Sequence, residues 1–252
     1  MGELPRCARR RRLGATATGG RVALASAALA GALVMATGCG RLGFDVAQDD
    51  RFADAGIPGS DAADPGGPTP LHQYRFAGNY KDDYSGPPLV GFGGTFGTDG
   101  YEFAPDEGLI ATGVVPRTYT IDLEFVFDNV DSWRKIIDFK DLSTDEGLYV
   151  YDNCLQFVVV SGTTFQTSPP LLSPRTPARI TLSRDAAGTV VGAINGLSVL
   201  TFADTAGVGA VQLDTGVTFF VDDSVTNTEV SSGAVSRIRV YNAALAASTL
   251  GP

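Results

Sequence analysis

The chain has 252 residues, 44% of them hydrophobic, and its 19 basic and 28 acidic residues give a net charge of −9. This composition is typical of a globular protein and excludes a disordered or fibrous one. The first 38 residues hold six arginines and one acid, so the remaining 214 carry 13 basic and 27 acidic residues. Phosphate binding needs clustered lysine and arginine, and this acidic body therefore excludes nucleic acid as a partner. His72 is the one histidine, which excludes a histidine-rich metal site.

Residues 1–38 have the features of a secretory signal peptide. Four consecutive arginines at residues 9–12 precede an apolar run at residues 22–36, and small residues follow. A basic segment, an apolar segment and a small-residue end are the three parts of such a peptide. The run has fifteen residues, fewer than the roughly 20 of a membrane-spanning helix. An uncleaved signal anchor is the alternative.

The end of this segment, Met35-Ala36-Thr37-Gly38-Cys39, resembles a bacterial lipobox. In that motif the cysteine becomes the lipidated first residue of the mature chain, and more than one acyl chain is needed for stable anchoring. The resemblance implies lipidation at Cys39. It also implies an exported, membrane-anchored lipoprotein, at the outer membrane or cell surface of a Gram-negative bacterium. The alternative is an ordinary signal-peptide cysteine near a different cleavage site.

Residues 39–70 contain the lipidated N-terminus and a predicted linker. The stretch 56–70 is rich in Gly, Pro and Asp and has almost no apolar side chains. Such a stretch cannot bury enough surface to offset the entropy of ordering. We therefore expect a disordered spacer, with a folded domain beginning at residue 71.

Residues 71–252 are predicted to form an all-β domain. Residues 121–127 alternate apolar and mostly polar side chains, which is typical of a half-buried strand. Ile121 and Leu123 are predicted to face inward, and Asp122 and Glu124 outward. Further strands are predicted at residues 135–139, 148–151, 155–160, 178–183, 190–194, 198–202, 217–221 and 234–241. Regularly spaced short strands favour a sandwich or barrel.

Local signals add detail near the end of the chain. Asn195-Gly196 lies between two predicted strands and indicates a tight hairpin, because both residues tolerate a positive φ. Leu245 is predicted to fill the core, whereas Arg237 and Arg239 are predicted to face outward. Residues 242–250 could form a helical turn or two.

Several segments resemble the laminin-G-like domain, within the concanavalin A-like lectin and glucanase fold. The best match is Gly233-Ala-Val-Ser-Arg-Ile-Arg-Val-Tyr-Asn-Ala-Ala-Leu245, which is similar to the closing strand of that family. Other matching segments lie at residues 74–86, 101–103, 119–125 and 179–196. The resemblance implies a two-sheet antiparallel jelly-roll sandwich over residues 71–252.

This family contains lectins, adhesion modules, structural domains and glycoside hydrolases, so the fold alone does not give a function. Our hypothesis is non-enzymatic recognition of a carbohydrate or glycoprotein at the cell envelope, through a sheet face or a loop rim. The alternatives are a glycoside hydrolase and a structural or adhesion domain that binds a protein partner.

The hydrolase alternative depends on Asp122 and Glu124. Retaining glycosidases use two carboxylates about 5–5.5 Å apart, and residues two apart on a strand share a face. The order of residue types at 122–128, Asp-Leu-Glu-Phe-Val-Phe-Asp, departs from the hydrolase pattern. Two solvated charges on the outer face of an acidic protein are the simpler interpretation.

Glycan binding requires exposed aromatic rings beside hydrogen-bonding groups. The candidates are Trp133, Tyr149 and Tyr151, and the two tyrosines share one face of a predicted strand. Leu148 and Val150 share the other face and are predicted to be core. For Trp133, a role as a cap at the edge of the core is the alternative.

Calcium is the candidate cofactor. It takes 6–8 oxygen ligands, and a late loop supplies four residues with suitable oxygens: Asp222, Asp223, Asn227 and Glu229. Their spacing matches no known calcium-loop motif. The alternative is an acidic loop that keeps the protein soluble.

Overall fold

The computed structural model of the protein describes residues 67–159, 164–211, 216–225 and 228–250. The predicted signal peptide, Cys39 and nearly all of the predicted linker lie outside these residues, as does Asn227. Across the described residues, no helix has the length and apolar character needed to cross a membrane.

The described residues form fifteen β-strands and one short 3-10 helix. The strands are β1 His72–Tyr74, β2 Val90–Phe92, β3 Thr95–Gly97, β4 Gly100–Phe103, β5 Gly108–Ala111, β6 Tyr119–Phe127, β7 Trp133–Asp138, β8 Gly147–Tyr151, β9 Cys154–Val159, β10 Thr164–Pro170, β11 Ala178–Arg184, β12 Thr189–Ile194, β13 Leu197–Ala203, β14 Val217–Phe219 and β15 Gly233–Tyr241, and the helix spans Ala247–Thr249.

These strands pair into two antiparallel sheets. Sheet A has the order β13-β12-β11-β6-β15-β4-β3, with β1 also paired to β15. Sheet B has the order β10-β9-β8-β7-β14-β5-β2. The predicted all-β, two-sheet antiparallel sandwich is therefore confirmed.

The inner faces of the two sheets form the core. Leu123 on β6 and Phe157 on β9 are fully buried, one from each sheet. The rings of Phe103 and Phe220 stack with their centroids 4.6 Å apart, and burial of each large apolar side chain contributes about 1.5–3 kcal/mol. Because one face of each sheet is apolar, the opposite face of each is the surface on which a site can be built.

Most predicted strands coincide with observed ones. Residues 121–127 lie within β6, with Ile121 and Leu123 fully buried as predicted. The predicted hairpin joins β12 to β13, where Ile194 pairs with Leu197. Its turn residues Asn195 and Gly196 have φ values of +49° and +82°, the left-handed values that a two-residue hairpin turn needs.

The end of the domain differs from prediction in two details. Leu245 is partly exposed rather than a core residue. Residues 242–250 contain a single 3-10 turn, and they lie against sheet A, where the backbone N–H of Leu245 donates to Thr120 Oγ1 at 2.8 Å. This closing segment covers part of the outer face of sheet A.

Candidate functional site

The outer face of sheet B carries four large polar or aromatic side chains where β7 pairs with β8. The register places Trp133 opposite Tyr151 and Lys135 opposite Tyr149. Residues two apart on a strand point to the same face, so all four point away from the core that Leu148 enters.

The aromatic pair of this face consists of Trp133 and Tyr151. Their ring centroids are 4.3 Å apart, and both side chains are partly exposed. Two carboxylates lie next to them in the chain: Asp131 accepts from Arg134 Nη2 at 3.0 Å, and Asp152 accepts the backbone N–H of Ser132 at 3.0 Å. The aromatic pair thus offers partly exposed ring surface with acidic chain neighbours.

Tyr149 has a different position from the one predicted. It is 1% exposed, so its ring is not open to a ligand. The rings of Tyr149 and Trp133 are nearly perpendicular, with centroids 5.6 Å apart, and the Tyr149 hydroxyl donates to Asp223 Oδ2 at 3.2 Å. Burial, reinforced by the nearby carboxylates, raises the pKa of this hydroxyl far above its usual value. Tyr149 therefore packs against Trp133 as a buried residue, and its hydroxyl stays protonated.

Lys135 is a fully buried cation next to Tyr149. Its Nζ atom donates to Asp223 Oδ2 at 2.6 Å, to Asp138 Oδ2 at 2.9 Å and to the carbonyl of Thr144 at 3.3 Å. These three bonds use all three protons of the ammonium. The same atom lies 5.0 Å from the ring centroid of Tyr149, within the range of a cation–π contact.

A cluster of carboxylates adjoins Lys135. One oxygen from each of Asp145, Asp223 and Glu229 lies within 4.8 Å of the others. Glu229 is 4% exposed, and its Oε2 atom is buried without a hydrogen-bond partner. Burial, followed by the charges of Asp145, Asp222 and Asp223, raises the pKa of Glu229 to about 7. We call these three residues the carboxylate cluster.

The predicted metal residues divide between two roles. Asp223 and Glu229 belong to the carboxylate cluster. Asp222 instead stabilises the loop, because its Oδ1 accepts the N–H of Asp223 and its Oδ2 that of Glu229, each at 2.9 Å. Burial raises the pKa of Asp222. Asn227 lies outside the described residues.

The sequence alone did not identify Asp145 as a candidate metal ligand. It lies in the loop between β7 and β8, far along the chain from Asp223 and Glu229. The two loops meet where the backbone N–H of Ser224 donates to the carbonyl of Leu142 at 3.0 Å. No local motif marks Asp145. The only sequence feature that pointed to it was its position in a loop just before a strand with two outward-facing tyrosines.

Asp122 lies on the outer face of sheet A but is buried, contrary to the prediction that it faces solvent. It is 1% exposed. Its Oδ1 accepts from Arg179 Nε and from Thr181 Oγ1, each at 2.8 Å, and its Oδ2 accepts from Arg239 Nη2 at 2.8 Å. Strands β11 and β15 flank β6 on both sides and fold these side chains over the carboxylate. Arg239, predicted to face solvent, is buried for the same reason.

Glu124, two residues further along β6, is paired with Arg237. About a third of its side chain is exposed. The two carboxylates of the hydrolase alternative are thus each bound to arginine, in a row of ion pairs across three strands.

No protein-family model and no curated protein sequence matches the chain. Solved structures do resemble it in fold. One is domain 4 of AbnA, a GH43 extracellular arabinanase from Geobacillus stearothermophilus, in complex with arabinotriose. Its TM-score is 0.52 at 13% identity, over 73% of this chain and 97% of that one.

Two larger proteins are also similar over part of their length. Trypanosoma rangeli sialidase has a TM-score of 0.57 at 12% identity, over 72% of this chain and 32% of that one. The binding domain of botulinum neurotoxin serotype D has a TM-score of 0.52 at 11% identity, over 71% of this chain and 49% of that one. At these identities the likeness shows the fold alone. The domain shares the two-sheet β-sandwich fold of these structures, and they do not single out the laminin-G-like group within it.

Proposed function

We propose that this protein is a laminin-G-like, lipid-anchored module of the cell envelope that binds carbohydrate or glycoprotein and has no catalytic activity. The observation that carries the proposal is the aromatic pair, Trp133 and Tyr151, which is partly exposed on the outer face of sheet B. Binding sites combine aromatic surface with a few placed polar groups. Asp131 and Asp152 carry carboxylates and lie next to the pair in the chain.

The comparison with AbnA supports an oligosaccharide as the ligand. Domain 4 of that arabinanase is described in complex with arabinotriose, and nearly its whole length matches this chain in fold. A sandwich of this size is therefore sufficient to hold a short glycan. The comparison supports the ligand class and does not extend to one particular sugar, because at 13% identity the two chains share only the fold.

The glycan proposal is tested on a glycan array probed with the full chain. We expect Trp133→Ala and Tyr151→Ala each to weaken binding about two- to tenfold, because an aromatic contact is worth about 0.5–1.5 kcal/mol and 1.4 kcal/mol is tenfold in affinity. Phe92→Ala is the matched control, since Phe92 is 50% exposed on β2 at the far edge of the same sheet. An array without signal would overturn glycan recognition and favour a protein partner.

Membrane attachment follows from the proposed organisation: signal peptide at 1–38, lipidated Cys39, spacer to residue 70 and β-sandwich from 71. Metabolic labelling with palmitate in a Gram-negative host tests it. We expect label in the wild-type protein and none in Cys39→Ser, with the variant recovered outside the membrane fraction. Equal labelling of both would refute lipidation at Cys39.

The absence of catalysis is supported by the ion pairs of Asp122 and Glu124 with arginines. We expect a glycan bound on the array to be recovered intact after prolonged incubation. Cleavage that is lost in Glu124→Gln would establish the hydrolase instead. Glu124 suits this test because it is the more exposed of the two carboxylates.

A further inference from the structure

The carboxylate cluster has the spacing of a cation site. Its three oxygens lie within 4.8 Å of one another. Two oxygens bound to one Ca²⁺ ion, each at 2.3–2.6 Å, are at most about 4.6–5.2 Å apart. A single ion can therefore contact Asp145, Asp223 and Glu229 together with little movement of the side chains.

A second observation concerns Glu229. Its Oε2 atom is buried and has no hydrogen-bond partner. Buried polar atoms are nearly always partnered, and one without a partner destabilises the fold. A cation in the cluster supplies the missing partner.

The backbone holds Glu229 in place for this role. Its carbonyl accepts the N–H of Lys135 at 2.8 Å, and its own N–H donates to Asp222 at 2.9 Å. Asp223 is fixed as well, since its Oδ1 accepts the N–H of Val225 at 2.8 Å. Two of the three ligands are thus positioned by bonds that an ion would leave intact.

We propose that Asp145, Asp223 and Glu229 bind one divalent cation of the calcium class at this corner of sheet B. The donors are all carboxylate oxygens, which suit a hard cation. Calcium suits three protein carboxylates better than magnesium, which usually keeps several waters and binds only one or two carboxylates. Lys135 is the counter-ion of both Asp138 and Asp223, so the ion and the ammonium would share the carboxylate of Asp223. The inference stands whether or not the domain binds a glycan.

Calorimetry on the full chain after treatment with EDTA provides the first test. We expect one Ca²⁺ per chain, with Mg²⁺ binding at least tenfold more weakly. Terbium ion alone is the second probe. The hydroxyl of Tyr149 contacts Asp223, so excitation of this tyrosine should sensitise the luminescence of a bound Tb³⁺, and Ca²⁺ should abolish the signal.

Glu229→Gln identifies the site. We expect this variant to lose at least tenfold in Ca²⁺ affinity, and its melting temperature without ion to be no lower than that of the wild type, because it removes a charge repelled by its neighbours. The control is Asp141→Asn, in the same β7–β8 loop. Asp141 is exposed with a φ of +55°, a conformation that asparagine tolerates.

Three results would overturn the proposal. These are no heat and no terbium signal in the wild type, unchanged affinity in Glu229→Gln, or an equal loss in Asp141→Asn. The last result would mean that ions gather on the acidic surface without a defined site. Circular dichroism on each variant verifies that a lost signal reflects the site and not the fold.

Discussion

Among the described residues, Lys135 is the one fully buried ammonium at the corner of sheet B where β7 and β8 adjoin the carboxylate cluster. Its two carboxylate partners, Asp138 and Asp223, have side chains that are likewise without exposure. The side-chain bond from Lys135 keeps the pKa of Asp223 below its usual value, although burial alone raises it. Removing the ammonium leaves two buried negative charges close together.

We expect Lys135→Met to lower the free energy of unfolding by about 3–5 kcal/mol. This is the cost of removing one partner of a buried ion pair and leaving the other charge uncompensated. Urea denaturation followed by fluorescence measures it. Lys81→Met is the control, because Lys81 is exposed and surface changes stay within about 0.5 kcal/mol. A Lys135→Met protein as stable as this control would show that the ion pairs contribute nothing net.

Asp82 provides a second residue-scale prediction, on the dependence of stability on pH. It is 8% exposed and bonds to His72 Nδ1 at 2.7 Å and to the backbone N–H groups of Gln73 at 2.9 Å and Gly86 at 2.8 Å. Burial raises the pKa of Asp82, but these bonds outweigh it and bring the pKa below its usual value. The folded state therefore favours the charged form.

A lowered carboxylate pKa stabilises the protein above the pKa of the unfolded chain, about 3.9, and this contribution is lost as the pH falls through the folded pKa. We expect Asp82→Asn to be less stable than wild type by about 1–3 kcal/mol at pH 7, and the difference to shrink below about pH 4. Denaturation of both proteins across pH measures it. A difference that is constant with pH would contradict this account.

At the scale of elements, the turn that joins β3 to β4 depends on Gly100. Its φ is +111°, and a Cβ added there would lie 2.3 Å from the carbonyl oxygen of Val235 on β15. Gly196, in the β12–β13 turn, also has a positive φ of +82°, but nothing lies within 4 Å of an added Cβ. Substitutions at these two positions therefore distinguish the cost of backbone strain from the cost of a steric clash.

Gly196→Ala should cost about 1–2 kcal/mol, the penalty of left-handed backbone for alanine. Gly100→Ala should cost clearly more, because β4 must also move away from β15. Thermal unfolding of the two variants compares them. Equal melting temperatures would mean that the β4–β15 contact is soft enough to absorb a methyl group.

How far an element could be predicted depends on whether its signal is local. The alternation of β6 and the Asn195-Gly196 turn are local, and both were predicted. Strands β2, β3 and β5 have three or four residues each, too few to establish a period. Strand β10 ends in two prolines, which argue against a strand, but proline is tolerated at a sheet edge, and β10 is the edge of sheet B.

The candidate site was predictable only in part, for a related reason. The pattern of β8 assigned the face of Tyr149 and Tyr151 correctly, but burial of Tyr149 depends on Lys135 and Asp223, which distant segments supply. Asp122 is a second example. Alternation placed it on the outer face of β6, whereas its burial comes from Arg179 and Arg239 on other strands. Pattern gives the face of a strand, and tertiary structure decides what covers it.

At the scale of the whole molecule, negative charge is in excess, with 13 basic and 27 acidic residues after residue 38. Such an excess opposes the compact state by self-repulsion, and salt screens it within a Debye length of about 8–10 Å near 0.1–0.15 M. We expect the free energy of unfolding to rise between 10 and about 150 mM NaCl. The measurement is made with chelator present, so that divalent ions do not contribute. Stability that falls with salt would mean that the ion pairs outweigh the repulsion.

The single tryptophan of the chain, Trp133, lies at the aromatic pair and touches the ring of Tyr149, whose hydroxyl reaches the carboxylate cluster. The protein therefore contains its own optical reporter. Emission excited at 295 nm comes from this one corner of sheet B, without a background from other tryptophans. A sugar stacked on Trp133 and an ion beneath Tyr149 would each change that emission. Each binding event can therefore be followed by titration in the native, unlabelled protein.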